Sequence, residues 1–189
     1  MTERALPAMA FALALTTQLS FVWAIRRFFV ASGGPQPGMR AIAGLGTPFA
    51  LWQLAALGAC VVNPQGAGTH ALLGAGLYAG ALGLFWWAVA ANRTRPLSLA
   101  FSQDAPEHLV ASGPYRRMRH PFYVAYSLAW LAGAVTTAEL ALLVPLAVMG
   151  VLYVRAARLE EAKFAASPLA DAYAAYRART GMFWPSLRA

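Results

Sequence analysis

The chain has 189 residues, of which 59% are hydrophobic and 12% charged, about half the usual quarter for charge. The formal net charge is +8, from 15 Lys and Arg against 7 Asp and Glu. This composition excludes a disordered chain and a soluble globular one. It leaves an all-α polytopic membrane protein folded as a single membrane domain over residues 1–189.

The first apolar stretch, 5–25, has 21 residues and ends in Arg26-Arg27. That outlasts the roughly 7–15 residues of a signal-peptide core, so it reads as a first span rather than a cleaved leader. Further spans are expected at 41–62 and 71–91. The stretch 121–154 is 34 residues long and broken only by Glu139. It exceeds the roughly 20 residues one crossing needs, so Thr136-Thr137 is the expected turn between a short fourth helix and a longer fifth.

Five crossings place 14 of the 15 cations on one side and leave Arg4 on the other. The positive-inside rule then sets the N-terminus out and the C-terminus cytoplasmic, in an inner membrane if the source is bacterial. This topology accounts for the basic charge without nucleic acid. Cys60, alone in an apolar run, reads as a small buried hydrophobe; one cysteine offers neither a disulfide within the chain nor a Cys-based metal site. Gly76 and Gly80, with Gly83 near the same face, read as packing between helices of one chain, with no oligomer required. The tryptophans, Trp86-Trp87 among them, read as belt or lipid contacts.

Two cytoplasmic segments are too long to be mere connections. One is 92–120; the other is the tail from 155 onward. In the tail, Ser167 suits a helix cap, Pro168 a first helical position, and Asp171 the positive end of the dipole. Leu169, Tyr173, Tyr176 and Thr180 then share one face, and Gly181 ends the helix.

The densest patch of chemistry is Gly113-Pro114-Tyr115-Arg116-Arg117-Met118-Arg119-His120-Pro121-Phe122-Tyr123. Pro121 opens a helix whose free first-turn N–H groups suit an anion, with His120 beside them. The second patch, Arg155, Arg158, Glu160, Glu161 and Lys163, could hold one cation and one anion. Three scattered histidines form no metal site, and no nucleotide-binding glycine motif follows a strand.

Leu109-Val110-Ala111-Ser112-Gly113-Pro114-Tyr115, then Arg119-His120-Pro121-Phe122-Tyr123, then Arg158-Leu159-Glu160-Glu161, then Tyr173 and Tyr176 and a late Pro185, together resemble the isoprenylcysteine carboxyl methyltransferase family with its phospholipid-methyltransferase relatives. The resemblance covers about residues 92–186; residues 1–91 match only as generic spans. It implies an S-adenosylmethionine pocket built from the connection before the fourth helix, the start of that helix and the tail.

By the same resemblance, Tyr115, His120, Pro121, Tyr123 and Glu161 would contact the cofactor. Backbone at His108, Leu109 and Val110 would line its adenosine side. Arg158, or Arg155, would face the methyl acceptor, so Arg158 and Glu161 would carry the reaction. The acceptor would be a lipophilic small molecule or lipidated chain drawn from the membrane. Alternatives are a reductase of related fold using a nicotinamide cofactor and a non-catalytic haem or quinone subunit.

Overall fold

The computed structural model describes residues 3–30, 36–64, 68–93, 97–98, 100–102 and 104–186. Arg95, Arg188 and the glycine-rich piece 31–35 lie outside the described residues. The described chain is mostly helical, with α1 (Ala5–Phe28), α2 (Pro37–Val62), α3 (Gly68–Ala91), α4 (Pro121–Thr137), α5 (Leu143–Ala165) and α6 (Ala170–Arg179). One two-residue parallel pairing, β1 (Phe29–Val30) with β2 (Leu97–Ser98), ties the end of α1 to the connection after α3.

Four segments are long and apolar enough to cross a membrane: Ala5–Phe28, Pro37–Val62, Gly68–Ala91 and Leu140–Ala165. α4 has 17 residues. At 1.5 Å per residue it reaches about 26 Å, short of a hydrocarbon core of roughly 30 Å. It ends where the sequence pointed, at Thr137, followed by Ala138 in the left-handed region and a short 3₁₀ turn into α5.

α4 is the centre of the bundle. A Cβ on Gly74 of α3 would collide with Thr136, and one on Gly133 of α4 would collide with the Gln53 amide of α2. Gln53 Nε2 donates to the carbonyls of Ala129 (2.9 Å) and Trp130 (3.3 Å), so one buried amide fastens α2 to α4. Small residues at these points let backbones approach, the usual way helices gain contact where lipid removes the hydrophobic drive.

The glycines that do this are not the ones the spacing suggested. Gly76, Gly80 and Gly83 have nothing within 4 Å of a would-be Cβ. Their face of α3 points outward, away from the other helices. Trp86 is likewise no simple lipid contact: its Nε1 donates to Ser20 Oγ at 2.8 Å, and its ring meets Trp23, Phe28 and Phe85. Cys60 is only half-buried.

The tail docks against the start of α4 through its backbone. Arg119 N donates to Gly181 O (2.9 Å), His120 N to Met182 O (3.2 Å), and both Gly181 N (3.1 Å) and Ser186 N (2.9 Å) donate to Arg117 O. A Cβ on Gly181 would strike the Trp184 carbonyl, so only glycine fits this turn. α6 begins at Ala170, two residues beyond the expected Pro168. Ser167 Oγ accepts from Leu169 N at 3.1 Å and donates to Phe164 O, bridging the end of α5 to α6.

Candidate functional site

A cavity of ≈1160 Å³ opens at the arginine-rich end of the bundle. Its polar wall comes from residues 104–110, Tyr115, His120, Pro121, Tyr123, Glu160, Lys163, Tyr173 and Tyr176. It continues without a break into an apolar cleft walled by Leu15, Leu19, Val22 and Ile25 of α1 and by Ile42, Gly46, Ala50 and Leu54 of α2. Tyr126, Trp130, Met149 and Tyr153 line the passage between the two parts.

The polar wall is organised around His120, which is buried and precedes α4. Its Nε2 lies 3.2 Å from Glu161 Oε1, and its Nδ1 lies 3.4 Å from Glu160 Oε2. Burial opposes a charge on His120. Hydrogen bonds to Glu160 and Glu161, with their charges, outweigh burial and raise its pKa above the ordinary value. The imidazolium therefore persists to higher pH than in an exposed histidine. Its ring lies 5.7 Å from that of Tyr123, nearly parallel to it, and Tyr123 in turn stacks on Tyr153 at 5.4 Å.

The two glutamates differ in role. Glu160 lines the cavity and accepts a 2.5 Å hydrogen bond from the Tyr123 hydroxyl. Glu161 does not line the cavity. It accepts from Arg119 Nε at 2.7 Å and approaches Arg177 Nε at 3.8 Å. Arg119 also donates to the carbonyls of Thr180 and Arg177. Arg119 and Glu161 thus weld α5, α6 and the tail to the start of α4, with both side chains nearly buried.

Tyr115 is buried and fixed by two hydrogen bonds from other elements. Asn92 Nδ2 donates to its hydroxyl (3.1 Å), Tyr176 donates to its carbonyl (2.8 Å), and burial pushes its phenol pKa upward. Gly113, at φ +58°, makes the preceding turn; a Cβ there would also meet Ala91 and Trp87 Nε1.

The structure brings His108, Leu109, Val110, Tyr115, His120, Pro121 and Tyr123 to one cavity wall. It does not bring Arg155 or Arg158 there: both are exposed and outside the lining, so the expected acceptor-facing arginine sits on the outer face of α5. Glu161 stands one residue behind the position the cavity uses.

Helical phase explains the placement of the two arginines. Met149, Tyr153 and Glu160 lie within about 40° of one direction at 3.6 residues per turn, whereas Arg155 and Arg158 point about 140–160° away from Tyr153. That signal was present in the sequence. The cavity contributions of Asp104 and Lys163 had no such signal, because they depend on where the connection after α3 folds back.

Among the described residues, no three His, Cys, Asp or Glu side chains form a metal cluster. His70 opens α3 and His120 precedes α4, at opposite ends of two antiparallel helices, so the pair cannot ligate one haem.

Residues 67–171, more than half of the chain, match the phospholipid methyltransferase family. No curated protein matches the chain. The matched region runs from α3 into the first turn of α6 and carries Tyr115, His120, Tyr123 and both glutamates. α1 and α2 fall outside it. With this match over the segment that builds the cavity's polar wall, the chain belongs to the phospholipid methyltransferase family of membrane methyltransferases.

Proposed function

We propose that the protein transfers a methyl group from S-adenosylmethionine to a lipophilic acceptor at the cytoplasmic membrane face, in the manner of the isoprenylcysteine carboxyl methyltransferases. The observation that carries this reading is the continuity of the cavity. A polar wall suited to a zwitterionic, cationic cofactor runs directly into an apolar cleft between α1 and α2.

The residues fit the cofactor. Glu160 offers a carboxylate to its ammonium group, and the opening turn of α4 offers N–H groups to its carboxylate. The rings of Tyr123 and its neighbours face a sulfonium by cation–π attraction. Backbone at His108, Leu109 and Val110 lines the adenosine side. Glu161 acts one step back, holding His120 and Arg119 in place.

When bound, S-adenosylmethionine supplies a methyl carbon already activated by its sulfonium. The chain then has to align donor and acceptor and keep water out, and alignment alone is worth several kcal/mol. Leu19, Val22 and Leu51 leave the cleft apolar and open at its side, a route for an isoprenoid-like or fatty acceptor from the bilayer.

The topology is five crossings with the N-terminus outside. α4 is short, but it lies beside α3 from the level of Gly74 to that of Phe85, which its first turn meets through Phe122, and this supports a full crossing.

Calorimetry on detergent-purified protein tests the reading, with S-adenosylmethionine, S-adenosylhomocysteine and NADPH as ligands. Micromolar binding of both sulfur compounds and none of NADPH is expected. His120→Ala should remove that binding while the melting transition survives. NADPH binding in place of the sulfur ligands would overturn the assignment.

A further inference from the structure

The connection after α3 carries an acid that the family resemblance did not single out. Asp104 lines the cavity on the stretch that continues into His108, Leu109 and Val110. Its backbone is held at both polar groups. Its N–H donates to Ser102 Oγ at 3.3 Å, and its carbonyl lies 3.5 Å from Lys163 Nζ.

Lys163 also donates to the Ser102 carbonyl, so one ammonium on α5 grips this connection twice. A third anchor lies one residue earlier. Phe101 sits at φ +60°, a conformation costly for an aromatic residue, and its ring fills the space where Gly38 of α2 has no side chain. Three elements therefore cooperate to fix the backbone of Asp104 at the cavity wall. Glu107 also lines the cavity but is exposed.

We infer that Asp104 binds the ribose hydroxyls of the cofactor, with Lys163 as its positioning residue. The inference rests on the methyltransferase reading and deepens it. A ribose presents two adjacent O–H donors, and a carboxylate is an acceptor-only group with room for both. Asp104 lies on the same segment as the adenosine-side backbone, whereas Glu160 projects from α5. The two acids then divide the cofactor: Glu160 takes the amino-acid end and Asp104 the sugar.

The test measures calorimetric affinity for S-adenosylhomocysteine and for its 2′,3′-dideoxy analogue, in the full-length protein. The wild type should prefer the hydroxylated ligand by about 10- to 100-fold, the size expected of hydrogen bonds to a charged acceptor. Asp104→Asn should bind both ligands alike, and Asp104→Glu should restore part of the preference. Lys163→Met should narrow the preference with an unchanged melting temperature.

A wild-type preference that persists in Asp104→Asn would overturn the inference and leave the methyltransferase reading standing. Equal binding of both ligands by the wild type would do the same. Failure of the wild type to bind either ligand would remove both. Equal weakening of both ligands in Lys163→Met would confine that lysine to a structural role.

Discussion

The two halves of the molecule are built differently. From α3 onward, specific polar contacts fix the parts: Arg119 with Glu161, His120 between two glutamates, Tyr115 held by Asn92 and Tyr176, and the tail stitched to Arg117. α1 and α2 instead present apolar walls. In α2 only Gln53 and Leu57 are buried, whereas nine residues of the shorter α4 are. The family match follows much of the same division, covering α3 to the first turn of α6 and omitting α1 and α2. A polar wall depends on fixed distances between named groups, whereas an apolar wall tolerates changes of shape residue by residue.

The division can be broken most severely at the weld. Arg119→Ala removes the main partner of Glu161 and leaves it His120 and Arg177, which costs about 1.5–3 kcal/mol, the size of a hydrogen bond to a charged group. Loss of both S-adenosylhomocysteine binding and thermal stability in detergent is expected. Arg119→Lys should fare only partly better, since an ammonium cannot reproduce the guanidinium fork.

Gly74→Val should come next. It forces α3 away from Thr136 and should cost about 1–3 kcal/mol, read as a lower melting temperature. It acts on packing alone, so affinity measured well below that temperature should hold.

Gly46→Phe sharpens the comparison from the other side. Gly46 lines the cleft on α2, with Met149 3.6 Å from a would-be Cβ. Transfer of labelled methyl into a lipid extract should fall by about tenfold or more, while cofactor affinity stays unchanged. Equal loss of both would mean that the halves are not separable.

The pH response is smaller and belongs to the polar half. His120 has a folded pKa above the roughly 6.5 of an unfolded histidine, so its stabilisation is complete below that pH. It declines as pH rises through the higher folded value. A melting temperature that falls as pH rises above about 6.5 is expected, with His120→Gln flattening the slope. Smallest of all is Arg158→Ala. As an exposed residue outside the cavity, it should change stability by less than about 0.5 kcal/mol and leave methyl transfer intact.

Much of this was legible in the residues. Apolar runs and their flanking charges gave the helices, because a helix buried in lipid must be apolar for a fixed length. The Thr136-Thr137 break and the Gly181 stop were equally local. The order from Tyr115 through Tyr123 to the paired glutamates named the family and one wall of the site. Glu160 lines the cavity, whereas the expected Glu161 and Arg158 do not, and for Arg158 helical phase against Tyr153 already carried that placement.

The remainder was decided only in three dimensions. Glycine spacing on α3 was a poor guide, because Gly74 meets Thr136 across 62 positions of sequence while Gly76 and Gly80 face outward. The pinning of Asp104 by Lys163 and the cleft between α1 and α2 likewise join residues far apart in the chain. The sequence alone determined which segments become helices and which end of the bundle is charged, since both follow from properties each residue carries by itself. Which side chains share a cavity was settled by packing, since that depends on how the backbones approach and rotate against one another.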